Sequence, residues 1–237
     1  MTWSLIVRDP ATGAFAIAVA TKNFAVGCRV PHIKAGVGAV ATQALSNPFY
    51  GVRGLRFLQD DLPPEEIIKT LTAGDDGRDQ RQVHIIDRHG RIAAHTGKSC
   101  VDWCGHTSGE NFSVAGNMLA GPAVIAETAK TFLAKAALPL PRRLIAAMKA
   151  GEAAGGDKRG KQSAALMIYG EEEWPDLDLR VDDHTDPLAE LERLEQVSRE
   201  RWVHFAKYLP NSQNPHGELD RIVIDTGIAA ALAAEAK

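Results

Sequence analysis

The second residue of the chain, Thr2, opens the apolar segment "TWSLIVRD" and carries a hydroxyl group that could act as a nucleophile. An N-terminal threonine supplies its own general base, because its α-amine has a pKa of about 7.7–8.0 and can accept the hydroxyl proton. Met1 would first have to be removed, and initiator methionine is commonly removed before a small residue. Threonine is also a favoured strand residue, so an ordinary structural role for Thr2 remains open.

Two lysines are candidate partners for this hydroxyl. A hairpin that turns near Ala11 would set Thr2 opposite about Ala20, which brings Lys22 to the same end of the sheet. Lys34, together with the candidate substrate-binding residue His32, follows a further loop, and we expect both to return to that edge. An ammonium group there would stabilise a deprotonated hydroxyl and lower the pKa of the amine. Lys22 could equally be a solvated residue at a strand end.

Polar residues that follow two other predicted strands could contribute to the same site. Asn47 precedes Pro48 and has the pattern of a helix N-cap, so the first amides of that helix could stabilise an oxyanion. A plain strand–turn–helix fits this segment equally well. Gln43, within "AVATQA", and Asn117, at the end of "FSVAGN", are candidate substrate-binding amides, although Asn117 could simply shape a turn.

The segment "AGGDKRGKQ" combines glycines with Asp157, Lys158 and Arg159 ahead of a buried strand. Backbone amides in such a loop and an arginine fork suit a carboxylate or phosphate, so Asp157 and Arg159 are candidate substrate-binding residues. The P-loop spacing GxxxxGK[ST] is absent. A tight helix-to-strand turn would have a similar composition.

Two further segments could hold a metal ion. In "LRVDDHTDP", Asp182, Asp183 and His184 offer ligands, but adjacent strand residues point to opposite faces, which favours a hydrogen-bonded turn. "CVDWC" lacks a second cysteine pair, which favours free thiols over zinc. We therefore expect neither a metal nor another cofactor.

Composition excludes several functional classes. The 237 residues carry a net charge of -3, and no basic stripe suggests nucleic-acid binding. No apolar run approaches the roughly 20 residues of a membrane span. The first residues lack the pattern of a signal peptide, and three cysteines cannot all pair, so we expect a reducing, cytoplasmic location.

The predicted strands are apolar or small on both faces, a pattern of sheets that are covered on both sides. Turns at "DPATG" and "DRHG" predict antiparallel hairpins. Two antiparallel sheets packed face to face beneath outer helices, a four-layer αββα sandwich of the α+β class, satisfy both observations. We place this domain at residues 1–195 and a helical appendage at 196–237, whose long helix could mediate homo-oligomer formation.

Segments that include "TWSLIVRDPATGAFAIAVATKNFAVG", "HTGKSCVDWCGH", "VAGNMLAGP" and "LRVDDHTDP" occur in an order that resembles the bacterial and archaeal domain of unknown function 1028. The resemblance covers roughly residues 2 to 195. It implies the αββα fold of N-terminal-nucleophile hydrolases, in which Thr2, Lys34 or Lys22, and the region of Asn47 would match the nucleophile, the basic residue and the oxyanion hole. Fold alone does not establish function.

These observations support three hypotheses. The first is an N-terminal-nucleophile amidohydrolase in which Thr2 attacks a small amide, with Arg159 binding a substrate carboxylate. The second is a non-catalytic protein that binds a small amide or carboxylate on the same scaffold. The third is a metal-dependent hydrolase that uses Asp182, Asp183 and His184.

Overall fold

The computed structural model describes residues 2–235 and shows an α+β fold with two antiparallel sheets. The sheets pack face to face, and helices cover their outer faces. This is the four-layer αββα sandwich that the two-sided apolar strands and the hairpin turns predict.

The larger sheet has six strands in the order β10-β9-β2-β1-β8-β7, so β1 lies in the interior of the sheet. Its strands are β1 (Thr2–Arg8), β2 (Phe15–Thr21), β7 (Gly105–Gly109), β8 (Phe112–Asn117), β9 (Ser163–Tyr169) and β10 (Leu177–Val181). The smaller sheet has the order β3-β4-β5-β6. Its strands are β3 (Pro31–Lys34), β4 (Gly38–Ala44), β5 (Arg81–Asp87) and β6 (Ile92–Thr96).

Seven α-helices lie within the described residues: α1 (Pro48–Gln59), α2 (Pro64–Ala73), α3 (Ala123–Ala134), α4 (Leu140–Ala153), α5 (Pro187–Glu200), α6 (Trp202–Phe205) and α7 (Arg221–Glu235). Helices α1 and α2 pack on the smaller sheet. Helices α3 and α4 pack against each other and on the larger sheet. The pattern of "LAELERLEQVSRERWVHFAKY" predicts one continuous helix, but the structure interrupts it at Arg201, between α5 and α6.

Strand alternation decides which side chains enter the layer between the sheets. Ile6, Ile17 and Ile86 meet there in an apolar cluster. Their neighbours Leu5, Ala16 and Ile85 have the opposite parity and face the outer layers. Towards the other end of these strands, the inward positions change from apolar to polar, and this change defines the candidate site.

The chain divides into two compact units between Leu191 and Glu192. The division falls inside α5, whereas the sequence placed the domain boundary after residue 195, and that boundary remains a prediction. The second unit contains the end of α5 with α6 and α7. It exposes several apolar side chains, including Leu219 and Ile222. Self-association through this unit also remains a prediction.

None of the helices between residues 2 and 235 has the length and apolar character required to cross a membrane.

The contact between α3 and α4 depends on a glycine. A methyl group at Gly151 would overlap the Thr128 hydroxyl and would lie 3.1 Å from both the indole nitrogen of Trp3 and the carbonyl oxygen of Val124. We therefore expect Gly151→Ala to destabilise the fold by about 1–3 kcal/mol, even though alanine favours helices. Urea denaturation measures this change. Gly74→Ala is the matched control, because a methyl group at Gly74 meets no atom within 4 Å. Equal stabilities of the two variants would contradict this account of the packing.

Candidate functional site

Thr2 lies opposite Thr21 at the end of the β1–β2 hairpin. The ladder pairs Trp3 with Ala20, so its next step sets Thr2 opposite Thr21 and not opposite Ala20 as the hairpin estimate predicted. The two hydroxyl oxygens are 3.3 Å apart, and both residues are buried, with Thr2 only 7% exposed. The nucleophile candidate therefore has a hydroxyl group as its close neighbour across the hairpin.

The backbone carbonyl of Thr2 is held by two buried side-chain amides. Gln43 Nε2 of β4 and Asn117 Nδ2 of β8 lie 3.5 Å and 3.4 Å from the Thr2 oxygen. Asn117 is the cross-strand partner of Thr2 in the larger sheet, whereas Gln43 belongs to the smaller sheet. Thr2 is therefore positioned from both sheets at once.

Gln82 of β5 determines the orientation of both amides. Its Nε2 donates to the carbonyl oxygens of Gly116 at 2.8 Å and Gly105 at 3.1 Å, and since carbonyls only accept, the amide cannot be reversed. Gln82 Oε1 must then accept, and it does so from Gln43 Nε2 at 2.9 Å and Asn117 Nδ2 at 3.1 Å. The amide orientations follow from fixed backbone atoms.

The same network determines the tautomer of His84. Gln43 Oε1 accepts the Ser4 hydroxyl proton at 2.8 Å, so His84 Nε2, also 2.8 Å from Ser4 Oγ, must donate to that oxygen. His84 Nδ1 then accepts from Ser113 Oγ at 3.0 Å. Complete burial, together with the smaller effect of His106, lowers the pKa of His84 to about 3. His84 is therefore a neutral donor and not a base for Ser4.

A second cluster joins the glycine loop to the end of β2. Asp157, 5% exposed, accepts the backbone N–H of Lys22 at 2.7 Å. Its carboxylate also pairs with the Arg159 guanidinium at 3.2 Å. The Lys22 ammonium donates to the Lys161 carbonyl at 3.0 Å. Lys22, Asp157 and Arg159 are thus brought together, and their observed contacts hold the loop on the sheet.

A cavity of about 100 Å³ separates the glycine loop from the larger sheet. Thr21 and Asp157 both line it together with Trp3 and Ala20, whereas Thr2 itself is not among its lining residues. Lys161 lies in its wall between Glu152 at 2.7 Å and Asp186 at 3.2 Å. The hydrogen bond to Glu152 raises the pKa of Lys161, so the wall keeps an ammonium group.

His32 and Lys34 do not return to the Thr2 end, and that expectation is corrected. Ile33 packs between the sheets, so its neighbours on β3 face the outer layer. The Lys34 ammonium bonds to Gln59 of α1 at 2.7 Å, and Lys34 pairs with Gly38, about 17 Å along β4 from Gln43. The His32 ring abuts Gly51 of α1, and burial lowers its pKa.

Asn47 caps α1 as the sequence predicts, but its helix lies on the other side of the smaller sheet from Thr2. The Asn47 side chain accepts from Phe49 N at 3.1 Å and donates to Asp75 at 3.1 Å. Helix α1 packs on the face of β4 that carries Val40, whereas Gln43 faces the inner layer. The expected oxyanion hole at Asn47 is therefore not brought together with Thr2.

The aspartate–histidine segment forms a hydrogen-bonded turn. Asp182 pairs with Arg180 at 2.9 Å, Asp183 accepts from Gln162 at 3.1 Å, and His184 Nδ1 accepts from the backbone of Asp186 at 3.0 Å. Cys28, Cys100 and Cys104 are free thiols. Between residues 2 and 235, no three His, Cys, Asp or Glu side chains are grouped closely enough to hold a metal ion.

Sequence reasoning missed the polar layer around His84. Its residues Ser4, Gln82, His84 and Ser113 are fully buried. The available signal was that the polar residues of otherwise apolar strands share one parity, Gln82 and His84 in "QVHII" and Ser113 and Asn117 in "FSVAGN". Such residues require internal hydrogen-bond partners, which points to a shared inner layer.

Comparison with known proteins agrees with this α+β sandwich. Residues 2–191 match the model of a family described as a family of unknown function (DUF1028). A crystal structure of a protein of the same family from Silicibacter pomeroyi has 33% identity and a TM-score of 0.86, over 93% of this chain and 96% of that one. The chain therefore belongs to the DUF1028 family.

A second solved structure, Anbu (ancestral beta-subunit) from Yersinia bercovieri, has 12% identity and a TM-score of 0.42, over 88% of this chain and 98% of that one. A similarity of this size carries no functional argument. No curated protein matches the chain.

The burial of neutral His84 predicts a specific pH dependence of stability. The unfolded chain takes up the His84 proton near pH 6.5 but the folded chain only near pH 3, so the contribution of His84 is complete above about pH 6.5 and is lost as the pH falls towards 3. We expect His84→Gln to cost about 1–3 kcal/mol at pH 7 and to show a shallower loss of stability on acidification.

Urea denaturation at several pH values between 7 and 4 measures this difference. His216→Gln, at an exposed position, is the control and should follow the wild type. Parallel pH profiles for wild type and His84→Gln would contradict the neutral state of His84, and an Nδ1–H signal from His84 in nitrogen-15 NMR would contradict the assigned tautomer.

Proposed function

We propose that this protein is an amidohydrolase of the N-terminal-nucleophile type that uses Thr2 once residue 1 has been removed. Residue 1 lies outside the described residues. The observation that carries the proposal is the setting of Thr2 at the first position of an interior strand, where two amides from different sheets hold its carbonyl group. Positioning of this kind holds a nucleophile in one reactive geometry.

In the proposed reaction, the α-amine of Thr2 takes the proton from Oγ1, and Oγ1 attacks the amide carbonyl carbon. The tetrahedral intermediate collapses, the C–N bond breaks, and the leaving amine takes the proton from the α-ammonium. Water then attacks the threonyl ester with the amine as base, which releases the acid and regenerates Thr2. The Thr21 hydroxyl, 3.3 Å from Oγ1, can accept or donate a hydrogen bond during each proton transfer.

The cavity beside Thr21 is the proposed binding position for the small side group of the substrate. Its volume of about 100 Å³ admits only a few non-hydrogen atoms, which supports a small substrate. The Lys161 ammonium and the Glu152 carboxylate in its wall support a polar group. Arg159, whose side chain is 41% exposed, could reach a substrate carboxylate while Asp157 anchors it to the loop. Lys22 contributes its backbone amide to the anchoring of that loop.

An acylation experiment tests the proposal. Intact-mass analysis of the purified full-length protein establishes whether Thr2 is N-terminal, and a β-lactone probe then reports an acylated residue. We expect one adduct on Thr2, its loss in Thr2→Ala, and its retention in Thr2→Ser. Thr107→Ala is the control, because Thr107 is an exposed strand threonine outside the cluster.

A protein with a free Thr2 that no β-lactone labels would overturn the hydrolase proposal. If small amides or carboxylates raised its melting temperature without being turned over, the protein would be a binder on the same scaffold.

The cavity volume also predicts which acylating probe reacts fastest. We expect an unsubstituted or methyl-substituted β-lactone to label Thr2 at least about tenfold faster than a phenyl-substituted one, because a small group fits a volume of about 100 Å³ better than an aromatic ring does. Labelling reactions quenched at a series of times and analysed by mass spectrometry give the rate of Thr2 acylation for each probe. Reaction of each probe with free threonine corrects for intrinsic reactivity, and equal corrected rates would show that the cavity does not receive the acyl substituent.

A further inference from the structure

A larger cavity, of about 370 Å³, lies at the opposite end of β1 from Thr2. Val7 and Arg8 line it, so it is about 17–20 Å along the strand from Thr2. The β1–β2 turn, the β7–β8 turn, the end of α3 and the beginning of α4 form its walls. Its volume is within the range of about 300–1,000 Å³ that small-molecule sites occupy.

Arg143 of α4 supplies an oriented cation in this cavity. Its guanidinium carbon lies 3.7 Å from the centroid of the Phe132 ring, and its Nε donates to the Phe132 carbonyl at 2.6 Å. These two contacts fix the plane of the fork, while the two Nη groups have no partner among residues 2–235. Planar, paired donors of this kind match a carboxylate.

The surroundings of Arg143 favour the arrival of an anion. Burial lowers the pKa of Arg143, because the guanidinium has lost part of its hydration. Asp9 is the nearby carboxylate that raises it, but both Asp9 oxygens already accept hydrogen bonds within their own turn, from Ala11 N and Thr12 Oγ1. A ligand carboxylate would replace the solvation that the guanidinium has lost.

Glu110 supplies the opposite charge on the same cavity. It lies in the β7–β8 turn, and its carboxylate has no hydrogen-bond or ion-pair partner within the described part of the chain. The cavity also has apolar walls, among them Leu133, which is 55% exposed, and Leu138, which is 37% exposed. The guanidinium groups of Arg143 and Arg8, the Glu110 carboxylate and an exposed apolar wall therefore surround one space.

We propose that this cavity binds a free amino acid with an apolar side chain. The ligand carboxylate bonds to the two Nη groups of Arg143, its ammonium pairs with Glu110, and its side chain covers Leu133 and Leu138. This charge pattern complements a zwitterion, and the apolar wall excludes water from the ligand side chain. The site is separate from the Thr2 cluster and does not depend on the proposed hydrolase activity.

Isothermal titration calorimetry with L-leucine as the probe tests the site on the full-length protein. We expect saturable binding of L-leucine and at least about tenfold weaker binding of both leucinamide, which lacks the carboxylate, and 4-methylpentanoate, which lacks the ammonium; each ligand loses one ion pair of about 1.4 kcal/mol or more. Thr2→Ala should bind L-leucine as the wild type does.

Two variants test the contributions of the Arg143 cation and the Glu110 anion to binding one at a time. Arg143→Met should weaken L-leucine binding at least about tenfold. Glu110→Gln should weaken L-leucine binding but leave 4-methylpentanoate binding unchanged, since only L-leucine carries the ammonium. Glu110 is exposed, so this variant keeps the test decisive even if Arg143→Met fails to fold. Absence of saturable binding of L-leucine or L-phenylalanine at millimolar concentrations, or L-leucine binding that Glu110→Gln leaves unchanged, would overturn the proposal.

Discussion

The bonds from the Gln82 amide to two backbone carbonyls are the constraint on which the site depends. Because carbonyl oxygens cannot donate, the carbonyls of Gly105 and Gly116 determine the orientation of the Gln82 amide. Gln82 in turn orients the amides of Gln43 and Asn117. Gln43 then determines the direction of the Ser4 hydroxyl proton and, through it, the tautomer of His84. A buried polar layer is costly unless every member has a partner, and this layer satisfies its members by linking both sheets. The two sheets are thereby held in one relative position at the end of β1.

Thr2 lies at the border of this network. Its carbonyl lies 3.5 Å from the Gln43 amide and 3.4 Å from the Asn117 amide, although Gln43 donates at shorter distances to Gln82 and to the Ala115 carbonyl. The opposite end of the same strand has a different character, because an apolar inter-sheet layer replaces the polar one and a cavity opens beneath the α3–α4 hairpin. The length of β1 thus separates two chemically distinct regions, a hydroxyl cluster and an open space lined by two arginines and a glutamate.

Much of the fold could be predicted from local patterns. The two-sided apolar strands, the turns at "DPATG" and "DRHG", and the cap at Asn47 are short-range features, and the structure contains the strands and helix they predict. The unpredicted strands β3, β7 and β10 are edge strands of only four or five residues, and even the alternation of "LDLRV" in β10 is too short to predict a strand by itself. The prediction of one continuous helix through residue 201 was wrong. Helical periodicity continues across this position and therefore does not reveal the local interruption between α5 and α6.

The sequence by itself determined the layered α+β architecture, the family and the choice of Thr2 as the candidate nucleophile, because these depend on residue type and short spacing. Tertiary structure alone decided which candidates meet. The parity of β3 places the side chains of Lys34 and His32 on the face that packs against α1. A shift of one residue in the β1–β2 register places Thr21, and not Ala20, opposite Thr2. Pairing between distant strands brought Gln43, Gln82, His84 and Asn117 into one layer, and no local pattern encodes a contact between residues about 40 to 115 positions apart.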